Sequence, residues 1–368
     1  MRFWAVSLAF MLSVLAADAA GDEEWIRYST GAKRAMTMAN YAEAERLLKL
    51  AVTEAEKFGA NDSRLAVSQG NLSLVYKARG NLEEAEKCAK AAVKIMRDGG
   101  RPDDFSFAVA LSNLAGILKD EGKLDESEPL YEGSLAIMEQ VRPGDSVEVA
   151  TVTDNLALLY MKEGRYAKAT PLQEKALSVY EKALGADHPD VAIALGNLAE
   201  SYRRQGKIDE AAKLLERSLQ IMQKVYGENH PSVATALDNL GCFYADLSQF
   251  PKAEPLHLKA LAIYQKSLGA DHPDIAITLD NLSDLYQHQG RTKEALMMST
   301  SAFQMAVRTL GPDHPFTNSV RERLKKLKAE QELTASDNDA KGDGEEPAEN
   351  KRKRKAPRKA AHHGAPAR

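Results

Sequence analysis

The sequence predicts an all-α solenoid of antiparallel helical hairpins, and three observations carry that prediction. Asn-Leu recurs at Asn71, Asn113, Asn155, Asn197, Asn239 and Asn281, once every 42 residues without a slip, which is the signature of stacked supersecondary units. A turn residue follows each Asn at a fixed distance, at Gly80, Gly122, Gly164, Gly206, Ser248 and Gly290. Two ladders of small side chains keep the same step: Ala85, Ser127, Ala169, Ala211, Ala253 and Ala295, then Ala92, Ser134, Ala176, Ser218, Ala260 and Ala302. Two helices approach closely only where a methyl or hydroxymethyl fits, so these ladders mark the contact line inside each hairpin. At 44% hydrophobic and 28% charged residues, the chain carries material for a substantial core, which excludes disorder throughout and a bundle of membrane spans.

The elements follow in order. Arg2 precedes an apolar run from Phe3 to Ala17, and Ala17, Ala19 and Ala20 form a small-residue cleavage site. Residues 1–19 therefore read as a secretory signal peptide, the run being shorter than the ~20 apolar residues that span a bilayer. The mature chain is expected to be exported, either periplasmic or secreted. Its two cysteines, Cys88 and Cys242, lie more than three units apart, beyond the ~4.4–6.8 Å Cα separation of a disulfide, and Cys88 is expected to be buried in a helix interior. Residues 24–58 form a degenerate first hairpin, where Tyr41, Ala42 and Ala44 echo Leu82, Glu83 and Ala85.

Residues 65–315 hold the six regular units. Gly185, Gly227, Gly269 and Gly311 end the second helix of a unit, and Pro189, Pro231, Pro273 and Pro315 open the next helix, where a missing N–H costs nothing. His188, His230, His272 and His314 stand in the connections; one histidine per hairpin, a repeat width apart, reads as capping and turn packing, not as a metal site. Residues 316–333 form a capping helix that brings Val320, Leu324 and Leu327 onto one side and closes the last apolar face. Residues 334–368 contain no Leu, Ile, Val, Phe, Tyr, Trp or Met, so they read as a disordered tail, acidic and then basic.

At 100° per residue, Leu195, Leu198, Ala199 and Tyr202 share the packing side of a representative first helix, and Ile193, Asn197, Glu200 and Arg204 lie opposite. The second group is expected to line the inner surface of the solenoid. Across the units this surface carries the six asparagines, whose amides suit either an extended peptide backbone or a neighbouring helix. Around them stand Asp154, Glu200, Arg204, Asp238, Asp280 and Asp284, which favour a basic partner or simply solvate the surface. The body carries a net −7 and the tail +3. The Lys351–Lys355 cluster reads as a solvated tail, an anchor to anionic membrane or cell-wall polymer, or a nucleic-acid contact, the last opposed by the leader.

Catalytic readings find little. Paired acids for glycoside chemistry must converge across a cleft at ~5–9.5 Å, whereas these acids repeat along a rod. No Gly-x-Ser-x-Gly elbow, phosphate-binding glycine loop, His-Glu-x-x-His or Cys-x-x-Cys occurs. Asp238, His288 and Cys242 assemble a constellation only on paper. No enzyme activity, metal or cofactor is expected.

The run from His188 to Gly206, His-Pro-x-Val-Ala-x-x-Leu-x-Asn-Leu-Ala-x-x-Tyr-x-x-x-Gly, returns almost whole from His230 and His272. It resembles the 42-residue tetratricopeptide-like repeat of kinesin light chains and many bacterial proteins. That resemblance, over about residues 65–315, implies a right-handed superhelical scaffold that binds peptide segments or partner domains in its concave groove. The leader and the acidic groove depart from the motor subunit, so the recognition mode carries over and microtubule cargo transport does not. A structural or regulatory envelope role, through the convex face, self-association or the basic tail, stands as the alternative.

Overall fold

A computed structural model describes residues 23–38, 40–100, 104–142 and 145–342, the side chains of 334–342 excepted. The leader at 1–19 and the Lys351–Lys355 cluster lie outside the described residues. Among the described residues fifteen helices follow one another: α1 (Glu23–Thr37), α2 (Tyr41–Glu56), α3 (Ser63–Ala78), α4 (Leu82–Asp98), α5 (Phe105–Glu121), α6 (Leu124–Val141), α7 (Val147–Lys162) and α8 (Tyr166–Leu184). The series continues with α9 (Pro189–Arg204), α10 (Ile208–Tyr226), α11 (Pro231–Asp246), α12 (Phe250–Leu268), α13 (Pro273–His288), α14 (Thr292–Leu310) and α15 (Pro315–Gly342). Each odd-numbered helix packs on the even-numbered helix after it, and successive hairpins stack, so the fold is an all-α solenoid of antiparallel pairs.

The turns carry the periodicity. After each first helix of the six units the turn residue adopts a left-handed backbone, with φ between 72° and 83° at Gly80, Gly122, Gly164, Gly206 and Gly290 and 56° at Ser248. The following N–H then reaches back five residues to close the helix end, as Lys207 does to the Tyr202 carbonyl at 2.9 Å and Gln249 to that of Tyr244 at 2.8 Å. First helices begin on side-chain caps. Asp62, Asp104 and Ser146 serve in the early units, and His188, His230 and His272 serve later through Nδ1, which accepts from the N–H two residues on at 3.1–3.2 Å. His314 makes the same bond to the Phe316 N–H at 3.1 Å. In each case the N–H is met by the Nδ1 atom of the imidazole ring.

The hairpins close where the sequence is small. Ala85, Ser127, Ala169, Ala211, Ala253 and Ala295 are fully buried. Where serine stands in for alanine, its hydroxyl bonds the facing helix: Ser127 Oγ donates to the Ala115 carbonyl, Ser134 Oγ to that of Ala108 and Ser218 Oγ to that of Ala192, each at 2.7 Å. At the N-terminal end Trp25 is buried and its Nε1–H donates to Ser68 Oγ at 2.8 Å, tying α1 to α3. At the other end Val320, Leu324 and Leu327 of α15 are buried, as their spacing predicts. That helix runs on to Gly342, nine residues beyond the predicted end, because nothing between Thr334 and Lys341 is proline or glycine. Cys88, expected to be buried, is only half-buried, and Cys242 is buried. No helix of the described residues is long and apolar enough to cross a membrane.

Candidate peptide-binding groove

The six asparagines sit one on each of α3, α5, α7, α9, α11 and α13, but they are not alike. Asn71, Asn113, Asn155 and Asn197 are buried, whereas Asn239 and Asn281 are half-buried. Asn197 Nδ2 donates to Asp154 Oδ2 at 2.8 Å, and Asn281 Nδ2 donates to Asp238 Oδ2 at 2.8 Å. In both cases the carboxylate precedes the asparagine of one unit and is met by the asparagine of the next. Arg323 falls 42 residues after Asn281 and repeats the pattern from the capping helix, with Nε 3.0 Å from Asp280. These amides therefore hold neighbouring hairpins together, which is the second of the two roles the sequence left open for them. Where the preceding position is Gly196 no carboxylate is available, and Asn239, one unit on, makes no side-chain hydrogen bond among the described residues.

The acids of the groove are also largely matched from within. Both oxygens of Glu200 take bonds from Arg203 and Arg204 at 2.7 Å, and Asp246 lies 3.2 Å from Arg203. Asp284 pairs with Arg323. Asp238 takes the Asn281 amide on one oxygen and His257 Nδ1, at 2.5 Å, on the other. Asp154 is the outlier: Oδ1 has no partner, and burial pushes its carboxyl up to about 6, with the Asn197 hydrogen bond and Lys119 opposing. Of the predicted site residues, Arg204 is exposed and turned to Glu200.

A cavity of about 270 Å³ opens beside Asn239. Asp238, Asn239 and Thr235 come from α11, and Asp274, Thr278 and Asn281 from α13. Among the described residues no Lys or Arg lines it. Burial pushes the Asp274 carboxyl up, His272 pulling the other way. Cys242 also reaches the cavity, but burial first, and then Asp238, hold its thiol well above the ordinary range, which removes the thiolate a nucleophile needs. The paper constellation does not assemble either: the imidazole on Asp238 belongs to His257, and His288 Nδ1 is 2.8 Å from the Asp284 carbonyl. Among the described residues no group of three or more His, Cys, Asp or Glu could hold a metal ion.

A tetratricopeptide repeat family model matches residues 35–98, 106–160, 148–224, 190–266 and 243–306. The chain belongs to the tetratricopeptide repeat family. Its fold is similar to that of the apo form of RapI, at 18% identity over 82% of this chain and 99% of that one with a TM-score of 0.55. A tetratricopeptide repeat protein from Parabacteroides merdae is similar at 15% identity over 83% and 99%, with a TM-score of 0.52. Kinesin light chain TPR-like repeats from Podosopora anserina share 27% identity over 56% of this chain and 98% of that one, at a TM-score of 0.48. No curated protein matches the sequence. Tetratricopeptide repeats are scaffolds for protein and peptide partners and not catalysts, and the stacked first helices of this member build such a scaffold.

Sequence reasoning missed Arg323, His257 and Asp274. Extending the 42-residue register one unit past Asn281 would have found Arg323. His257 stands at a position that changes in every unit, with Gln173, Leu215 and Ser299 around it, so the register held no signal for it.

Proposed function

We propose that this protein is exported and captures a peptide segment of a partner, with one basic side chain seated in the cavity beside Asn239. The observation that carries this reading is the composition of that cavity: two carboxylates, Asp238 and Asp274, and an amide uncommitted to the fold, with no Lys or Arg among the described residues that line it. The Asn239 amide is suited to the peptide backbone while Asp274 meets the cation and Asp238, bonded to Asn281 and His257, adds its negative charge to the cavity. Charge-assisted hydrogen bonds contribute ~1.5–3 kcal/mol and neutral ones ~0.5–1.5 kcal/mol, so a few of each support a micromolar complex, near −8 kcal/mol.

Titration calorimetry with acetylated, amidated hexapeptides that carry a single Arg, Glu or norleucine tests this. The Arg peptide should bind tightest and lose about ten-fold or more in Asn239→Ala, while an exposed-face variant such as Lys213→Ala stays at the wild-type value. Equal affinity for the Arg and norleucine peptides would refute the basic-side-chain reading. Export rests on the leader at 1–19, and fractionation with N-terminal sequencing of the mature chain checks it; a chain retained in the cytosol with Met1 in place would contradict it.

A further inference from the structure

Five of the six regular turns carry a glycine of nearly the same conformation, yet only one of these five is crowded. A Cβ built at Gly122, Gly164, Gly206 or Gly290 meets nothing within 4 Å. At Gly80 it would lie 2.7 Å from Pro315 Cδ and 2.8 Å from His314 Cδ2. The turn between α3 and α4 thus rests on the turn between α14 and α15, at the opposite end of the chain. The same closure brings Tyr41 of α2 and Ala78 of α3 to the cavity beside Asn239. Asp274, on the far wall, is near enough to contribute to the upward shift of the Tyr41 hydroxyl, after burial.

We infer that the first two hairpins form a lid on the cavity, latched where Gly80 packs on His314 and Pro315, and that a partner enters by parting this contact. The extensive contacts of the fold run between helices one or two places apart. The latch lies outside that series, so opening it disturbs no hairpin stack. His314 is held for the purpose by its bond to the Phe316 N–H at 3.1 Å, and Pro315 is fixed as the first residue of α15. Gly80 is required twice over, once for its φ of 73° and once for the absence of a Cβ at the contact. The inference rests on the cavity being the binding site, but the closure itself is measurable without any peptide.

The test compares Gly80→Asn with Gly206→Asn in the full chain. Asparagine tolerates the left-handed backbone, so both variants carry the same turn cost and only the first meets the opposite end. Small-angle scattering should give a larger radius of gyration for Gly80→Asn than for Gly206→Asn and wild type, and stopped-flow should show the Arg hexapeptide associating about ten-fold faster with it. Pro315→Ala, with Pro189→Ala as its control at the same helix position, provides a second pair should Gly80→Asn fail to fold by circular dichroism. Equal radii within both pairs would overturn the latch. A larger radius without a change in association rate would overturn the lid while leaving the contact. If no hexapeptide binds wild type, the radius still decides the latch, and the failure falls on the proposed peptide site.

Discussion

The Asn197 amide donates to the Asp154 carboxylate at 2.8 Å across the junction between two hairpins, and the other carboxylate oxygen has no partner. Burial accordingly raises Asp154 to about 6. Because the folded value lies above the ordinary ~3.9, the group's contribution is full below about pH 4 and is lost as pH rises through 6. Asp154→Asn keeps an oxygen for Asn197 and removes the charge. It should stabilise the protein by about 1–2 kcal/mol at pH 7 and by nothing at pH 4. Urea titrations of both proteins at the two pH values check this, and an equal difference at both would show that the carboxylate ionises freely in the fold.

Lys119 on α5 is buried, and its Nζ has no hydrogen bond or ion pair among the described residues. Burial lowers it to about 8, with Lys77 and Lys162 adding to the fall and Asp120 opposing it. The buried charge is therefore a cost below pH 8 that fades between 8 and 10.5. Lys119→Met retains the stem and should raise stability by roughly 2 kcal/mol at pH 7, with the gain shrinking toward pH 10. Loss of stability at pH 7 would mean that the ammonium holds the ends of α3, α5 and α7 together.

Gly241 lies against the His257 ring, where a Cβ would come within 2.8 Å of Cε1. The ring is held by Asp238 and cannot retreat. Gly241→Ala should therefore destabilise by about 1–3 kcal/mol through overpacking. The preceding unit solves the same contact with Ala199 and Leu215, so His257→Leu added to Gly241→Ala should recover most of the loss. A double-mutant cycle with no coupling between the two would refute the contact.

Ser248 holds φ at 56° where the other five units have glycine. Ser248→Gly should raise stability by about 0.5–1 kcal/mol, the relief of the left-handed strain exceeding the added freedom of the unfolded chain. Gly164→Ser should do the reverse by a similar amount. Thermal unfolding of both variants gives the answer, and shifts of the same sign would count against it.

The fold was legible because the ladders that specify it are local. Glycines at left-handed turns, prolines at first helical positions and alanines at the hairpin contact each state a backbone or volume requirement that one residue type satisfies. The groove was less legible, because the phase of a helix tells which side a residue is on and not what it meets across the junction. Asn197 and Asn239 are indistinguishable by register, yet one faces Asp154 and the other follows Gly196, and only the residue one unit earlier separates them. The contact of Gly80 with His314 joins positions at opposite ends of the chain, which no periodicity encodes.

Arg323 occupies in the capping helix the place that asparagine holds in each hairpin, and it clasps Asp280 as Asn281 clasps Asp238. The chain can therefore be shortened in whole steps. Excising residues 239–280 would set Asp238 directly before Asn281, in the place Asp280 now fills, and Arg323 would find the same carboxylate waiting. The Arg323 junction acts as a reusable stopper that reads only the unit before it, so proteins of this design can differ in groove length while ending on an unchanged last junction.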